Sequence, residues 1–142
     1  MVGVNGERYN DREVWTPVYY PSASKPDDAM WVALGRGEKR GGIDLRLGAP
    51  RTPAVLRIEF VFADGRPVIG VAASVEDLEC RQRVHVKSDG KAVLLAPVFI
   101  GESYQVSGYH YERQGSTLRG KSAAITIAGA ETSVRVVLVE ER

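Results

Sequence analysis

The sequence predicts an all-β protein: an antiparallel, seven-stranded Greek-key β-sandwich with a strand-bearing extension at its N-terminus. Three observations predict this class. Apolar and polar residues alternate from Val55 onward, turn motifs recur roughly every 8–14 residues, and no stretch combines the apolar stripe and the caps of a helix. Short strands separated by regular turns are typical of sandwiches and barrels.

The first strand of the sandwich carries the clearest alternation. Arg57 and Glu59 lie on one face of the segment "LRIEFVF", and its apolar residues lie on the other. A turn follows at "ADGRP", where the Asp64-Gly65 pair supplies the residue with positive φ that a tight turn needs and Pro67 closes it. The predicted inward residues are Leu56, Ile58, Phe60 and Phe62.

The later strands follow the same period of two. A second turn of the same chemistry is predicted at "SDGK", around Asp89 and Gly90. Residues 74–83 are the one helix-like stretch, but their apolar stripe is poor, which favours a strand end, a turn and a new strand. The remaining predicted strands are VIGVAASVED, CRQRVHVK, AVLLAP, SYQVSGYHYER, SAAITIA and SVRVVLVEE.

A tyrosine near the start of one strand has a predicted structural role. Tyr104 follows Gly101 at the point where sandwiches place a tyrosine whose hydroxyl bonds back to the main chain at a corner, so we expect it to be buried. Tyr109 and Tyr111 lie further along the same strand. They fall on the opposite face from Tyr104 unless Gly108 marks a bulge.

The N-terminal third differs in composition and is predicted to be a separate part of the chain. Residues 1–48 read as the C-terminal half of a preceding module, residues 53–142 as a complete sandwich, and "GAPRTP" as a linker. Strands are predicted at "VGVN", at 30–34 and at 43–47. The last two are expected to form a hairpin that packs within the chain or pairs with a second chain in a homodimer.

An internal repeat supports this division. Both ends of the chain show a strand, a variable excursion, a strand, a Gly/Glu-bearing turn and a final strand. The motifs also resemble those of carboxypeptidase regulatory-like domains. "DGRPVIGVAASV" is similar to the opening of that family, "SDGKAVL" and "IGESYQV" to its second half, and "YYPS" and "GIDLRL" to the ends of its modules in large exported bacterial proteins.

The resemblance implies a transthyretin-like or immunoglobulin-like sandwich without catalysis of its own. It also implies a spacer or interaction domain within a larger extracytoplasmic protein, whose partner is an unknown protein or a glycan. No signal peptide is visible in the chain.

Several other classes of function are not predicted. The 19 Lys and Arg are interspersed with 18 Asp and Glu, which argues against nucleic acid as partner, and the apolar runs are too short for membrane insertion. Cys80 is the only cysteine. His85 alternates outward with Arg83 and Lys87, whose charges disfavour a metal there. We therefore predict no metal, no cofactor and no enzymatic activity.

One aromatic cluster is the candidate binding site of the sequence. Trp15, Tyr19, Tyr20 and Trp31 flank or occupy a long, proline-broken stretch between two predicted strands. Exposed aromatic rings stack well on the apolar faces of sugars, which makes a carbohydrate-binding loop one hypothesis. The alternative, which the length of the loop favours, is that Tyr20 and Trp31 pack onto a sheet to anchor it.

Overall fold

The computed structural model describes residues 3–4, 18–48, 50–86, 90–112 and 115–141 of the chain. The chain divides into two compact units, Met1–Thr52 and Pro53–Arg142. This boundary falls within the segment that the sequence indicates as a linker.

The described residues form strands and one short 3₁₀ helix, Pro26–Asp28, which confirms the prediction of an all-β chain. None of the helical structure in the described part is long and apolar enough to cross a membrane. In chain order the strands are β1 (Gly3–Val4), β2 (Val18–Tyr19), β3 (Pro53–Val61), β4 (Ala72–Asp77), β5 (Arg83–Val86), β6 (Val93–Phe99), β7 (Ser103–Tyr111), β8 (Thr117–Lys121), β9 (Ile125–Thr126), β10 (Glu131–Val137) and β11 (Val139–Glu140).

The second unit consists of two sheets around one core, an arrangement consistent with a β-sandwich. One sheet has the strand order β10-β3-β6, and the other has the order β11-β8-β7-β4-β5, with β9 paired to the start of β7. Both sheets contribute alternate side chains to the core, because successive residues of a strand point to opposite faces. The largest fully buried residues include Leu56, Ile58, Phe60, Ile127 and Leu138.

Strand β3 shows the predicted alternation. Leu56, Ile58 and Phe60 are buried, and Phe62, just beyond the strand, packs against the core from a half-buried position. The chain then reverses through the predicted turn. Gly65 has φ +86° and donates its N–H to the carbonyl of Phe62 at 2.9 Å.

The strand count and directions differ from the prediction in two respects. β10 pairs with β3 in parallel, with Val134 opposite Ile58, whereas the sequence predicted an antiparallel sandwich. Alternation reveals which face of a strand is buried but not which strand lies beside it or in which direction. In addition, β8 was not predicted as a strand. Of the predicted strand "SAAITIA", only Ile125–Thr126 is a strand. The described residues of the second unit therefore form more strands than the seven predicted.

The helix-like stretch 74–83 contains the end of β4, a turn and the start of β5, as predicted. A buried carboxylate holds this turn: Asp77 Oδ1 accepts the N–H groups of Glu79 at 2.8 Å and of Cys80 at 3.0 Å. Cys80 was expected on a strand and lies in the turn instead, where it is buried. Bonds from an aspartate to amides two and three residues ahead are a common way to satisfy a turn.

Two facing glycines allow the interior of the second unit to pack closely. Gly108 of β7 lies opposite Gly120 of β8. A Cβ added at Gly108 would lie 2.5 Å from the Phe60 ring, and one at Gly120 would lie 2.4 Å from the carbonyl oxygen of Val137. Glycine is therefore required at Gly108 for packing, and no bulge interrupts β7 there.

The first unit does not contain the predicted hairpin. β1 and β2 pair antiparallel, with Val4 opposite Val18, but residues 30–34 and 43–47 form no strands. Two backbone bonds tie these segments to the start of the loop instead: the N–H of Met30 donates to the Tyr20 carbonyl at 2.8 Å, and that of Arg46 to the Pro21 carbonyl at 3.1 Å.

The physical reason is a lack of burial. Met30, Trp31, Leu34 and Leu47 are all more than half exposed, so pairing the two segments would gain little. A two-stranded hairpin without a sheet or core to rest on is marginal in water. The hairpin at 30–34 and 43–47 is therefore wrong, whereas the homodimer through the N-terminal strands and the internal repeat stay predictions.

We predict that Gly108→Ala destabilises the protein by about 1–3 kcal/mol, because the added methyl group overpacks a core that has no room for it. Chemical denaturation followed by circular dichroism measures the change. Gly129→Ala is the matched control, since a Cβ there meets nothing within 4 Å. Equal stabilities for the two variants would contradict the packing role of Gly108.

We also predict that the fragment 53–142 folds alone. Every residue of the hydrophobic core cluster lies between Ala54 and Leu138, so removing residues 1–52 deletes none of it. The fragment is expected to unfold cooperatively in a thermal scan, with dispersed amide resonances at low temperature. A broad transition with strong dye binding would show that the core is insufficient without the first unit.

Candidate functional site

The outer face of the sheet β11-β8-β7-β4-β5 forms an open groove of about 770 Å³. Its floor consists of small residues, and cationic side chains from β5 and β8 stand on either side. We call this region the cationic sheet face. The residues that define it are Ala72, Ser74, Arg83, His85, Ser107, Tyr109, Arg119 and Lys121.

The strand register arranges these side chains in two rows across the sheet. One row reads His85, Ser74, Ser107, Lys121, and the other reads Ala72, Tyr109, Arg119, Val139. Neighbouring strands are about 4.8 Å apart, so the backbones of His85 and Lys121 are separated by roughly 14 Å. The rows lie roughly 7 Å apart, which is the spacing of outward residues along a strand.

The centre of the floor is polar and compact. The hydroxyl groups of Ser74 and Ser107 form a hydrogen bond of 2.9 Å. A hydroxyl has one donor and two acceptor positions, so this pair retains one O–H donor and several acceptor positions for a ligand.

The charges of this face are only partly neutralised. Arg83 pairs with Glu76 and Arg119 with Glu141, both at 2.9 Å. These pairs are exposed and contribute little to stability. Within the described residues the exposed side chains of His85 and Lys121 have no ion-pair or hydrogen-bond partner. Lys121 therefore gives one end of the row a positive charge that no carboxylate matches, and His85 gives the other end an imidazole that can hydrogen-bond a ligand.

The outer face of the other sheet makes a useful comparison. Its two outward arginines, Arg57 and Arg135, pair with Glu131 at 3.3 Å and with Glu59 at 3.0 Å. The cations of that face are therefore each matched by a carboxylate on a neighbouring strand. Among the outward sheet residues that the structure describes, the cationic sheet face carries a cation without a carboxylate partner, Lys121.

An aromatic pair borders the groove. Tyr109 and Tyr111 point outward, opposite to buried Tyr104, and their rings meet edge to face with centroids 5.4 Å apart. Tyr109 is 43% exposed and lies directly across from Arg119 in the second row. The sequence predicted the orientation of both tyrosines but did not assign them a site.

The aromatic loop is not assembled into one platform in the described residues. Trp15 lies outside them. Tyr19, in β2, and Tyr20 are half-buried, Trp31 is 75% exposed, and none of the three makes a ring contact there. The expectation that Trp31 packs onto a sheet is wrong, because backbone bonds and not this indole hold the loop. Carbohydrate binding by the loop stays a prediction.

The turn and corner residues lie as follows. Asp64 accepts the backbone N–H of Arg66 at 3.0 Å and its guanidinium at 2.7 Å; these two bonds hold the pKa of the Asp64 carboxyl below its ordinary value. Pro67 forms a bridge with Val61. Gly90 and Gly101 have positive φ, and Asp89 lies outside the described residues. The buried Tyr104 hydroxyl accepts the N–H of Phe99 at 3.0 Å, the bond of a tyrosine corner.

The described residues contain no group of three or more His, Cys, Asp or Glu side chains arranged to hold a metal. The residues of the cationic sheet face were missed because β8 was not recognised as a strand. Alternation had already placed Arg83 and His85 outward together, and recognising "TLRGK" as a strand would have placed Arg119 and Lys121 on the same sheet.

The comparisons with known proteins identify no relative: no protein-family description, no curated protein and no solved structure matches the chain.

We predict that Tyr104→Phe lowers the free energy of unfolding by about 1–2 kcal/mol, because the Phe99 N–H loses its acceptor in a half-buried position. Tyr111→Phe removes the same atom from a side chain that is 69% exposed and should change stability little. Denaturant titration of both variants measures the difference. A Tyr104→Phe variant as stable as the parent would show that the corner bond contributes nothing.

Proposed function

We propose that the chain is a non-catalytic interaction module of the carboxypeptidase regulatory-like type, a Greek-key, immunoglobulin-like sandwich within a larger extracytoplasmic protein. Its binding site is the cationic sheet face. The observation that carries the proposal is the row His85, Ser74, Ser107, Lys121, in which an imidazole and an ammonium group without partners among the described residues border a floor of small polar groups. The sheet pair around one core and the "DGRPVIGVAASV" opening support the choice of family.

The arrangement of the polar groups favours binding over catalysis. An activated nucleophile needs a base within hydrogen-bond reach. Ser74 lies opposite His85 in the register, but its hydroxyl bonds to Ser107. Ser74 and His85, which face each other on this surface, are therefore not engaged as nucleophile and base.

The charge of the face supports binding of a specific class of partner. The arginines of the other sheet are matched by carboxylates, so an anionic ligand there must displace an internal partner. Lys121 is solvated and unmatched among the described residues, so an anionic group placed beside it gains attraction without breaking an internal pair, and the imidazole of His85 can donate a hydrogen bond to the same ligand.

A second candidate is a carbohydrate-binding module that uses the loop Trp15/Tyr19/Tyr20/Trp31. The observation that favours it is the exposure of Trp31, whose indole offers a large apolar face to solvent. The two candidates place the ligand on different units of the chain, so one experiment separates them.

The test is amide-resolved NMR titration of the full chain with a panel of probes: a neutral oligosaccharide, an oligouronate, an acidic peptide and a basic peptide. We expect at least one anionic probe to shift the resonances of β4, β5, β7 and β8, and Lys121→Gln to weaken its binding severalfold. Arg135→Gln is the control, since it removes the same charge from the outer face of the other sheet.

Three outcomes decide between the candidates. Shifts confined to the sheet face support the proposal. Shifts around Trp31 that disappear in Trp31→Ala support the loop instead. A sheet face that responds to no probe would mean that it is not a binding site and that the module acts as a spacer.

A further inference from the structure

We propose that the cationic sheet face binds a carboxylated glycan, a polysaccharide chain that carries uronate groups. The inference rests on the proposed function and names the ligand class of the same site. Its starting point is the combination of three chemistries in one groove: exposed cationic and imidazole side chains, free hydroxyl positions and an exposed aromatic ring.

The side chains of the groove are placed to contact carboxylates at more than one point along a chain. His85 and Lys121 lie at the two ends of one row, roughly 14 Å apart, and Arg119 lies beside Lys121 in the next row. A chain laid across the strands meets the His85 imidazole, then the serine pair, then the two cations Lys121 and Arg119. A polymer with one carboxylate per unit presents acceptors for the imidazole at one end of that path and for the cations at the other.

Arg119 is available for a ligand although it has a partner. Its bond to Glu141 joins two side chains that are 63% and 50% exposed. An exposed ion pair of this kind contributes little free energy, so a ligand carboxylate can replace Glu141 at small cost. The guanidinium then offers the two parallel N–H donors that suit a carboxylate.

The floor suits sugar hydroxyl groups. Ala72, Ser74 and Ser107 have short side chains, which lets a ring approach the sheet, and the Ser74–Ser107 pair provides both donor and acceptor positions. Tyr109 stands beside this floor with its ring supported edge-on by Tyr111. The apolar face of a pyranose ring stacks on such an aromatic surface.

An acidic peptide fits the geometry less well. Extended peptides usually bind by adding a strand to an open sheet edge, where main-chain groups are unpaired. The row from His85 to Lys121 instead crosses four strands, β5, β4, β7 and β8, that already pair with one another. The main-chain N–H and C=O groups across the floor are therefore already paired and cannot bind a peptide as an added strand would.

Nucleic acid fits less well for a reason of charge. Tight binding of a phosphate backbone requires many simultaneous cation contacts. The face has Glu76 and Glu141 beside its arginines, so it offers few cations beyond those that carboxylates already match. A few carboxylates spaced along a sugar chain need only a few cations.

The test uses the full chain and two matched probes: an oligogalacturonate, and the same oligosaccharide with its carboxylates reduced to alcohols. Affinities are measured by calorimetry or NMR titration at low ionic strength. We expect the oligogalacturonate to bind at least tenfold more tightly than the reduced form, and its affinity to fall as salt is added. Its resonance shifts should lie on β4, β5, β7 and β8.

Three variants locate the contacts. Lys121→Gln and His85→Gln should each weaken oligogalacturonate binding severalfold. Tyr109→Ala should weaken both probes, because it removes the stacking surface and not the charge. Arg135→Gln should leave both affinities unchanged. All four positions are on the surface, and an unchanged pattern of amide resonances outside the site verifies that each variant is folded.

Polyglutamate and a single-stranded oligonucleotide serve as competing polyanions. If either of them shifts the sheet face while oligogalacturonate does not, the glycan inference is wrong and the proposed binding face stands. If the two matched oligosaccharides bind equally, recognition of the carboxylate is wrong. If no probe shifts this face, both proposals fail together.

Discussion

The fold of the second unit depends on one packing constraint, the close approach of other residues of the unit to the backbones of strands β7 and β8. It exists because Gly108 and Gly120 face each other and neither carries a Cβ. The ring of Phe60 occupies the space that a side chain at Gly108 would need, and the carbonyl oxygen of Val137 occupies the space that one at Gly120 would need. The end of β10 thus passes beside β8, and the chain continues into β11 on the second sheet.

The same constraint positions the candidate site. Neighbours along a strand point to opposite faces, so a residue that must face inward fixes its neighbours outward. Gly108 and Gly120 face the core, and the side chains beside them therefore point to solvent on adjacent strands. These outward residues are Ser107, Tyr109, Arg119 and Lys121. The packing of the core and the layout of the groove are two consequences of one register.

The sequence predicts the parts of this structure that depend on local pattern. Alternation identified the inward face of β3, the orientation of Tyr109 and the turn after Asp77. It failed where the outcome depends on distant partners. The parallel neighbour of β3 comes from the far end of the unit, and "GIDLRL" alternates like a strand but has no sheet to pair with. β8 has one buried apolar residue, Leu118, which is too weak a pattern to recognise.

The candidate site could not be predicted for the same reason, because it depends on which distant strands pair. Its cations come from β5 and β8, which are far apart in sequence, and each has acidic residues nearby along the chain. Charges that look interspersed in sequence can therefore converge on one face once the strands pair. The sequence shows no basic stripe along the chain, because the cations converge across four strands of the sheet.

Alternation along the strands also separates the residues that stabilise the fold from the residues that form the candidate site. The core uses the inward residues of β4, β7 and β8, such as Val75, Val106 and Leu118, and the groove uses the outward ones. Changing Lys121 or His85 removes no buried contact, so the ligand of such a face can change while the sandwich stays the same. Gly108 and Gly120 are the exception. They carry no side chain into the groove, yet a side chain at either would move the strands and with them every outward residue of the groove. The ligand preference of the face would thus depend on its surface side chains, whereas the shape of the groove depends on the two glycines beneath it.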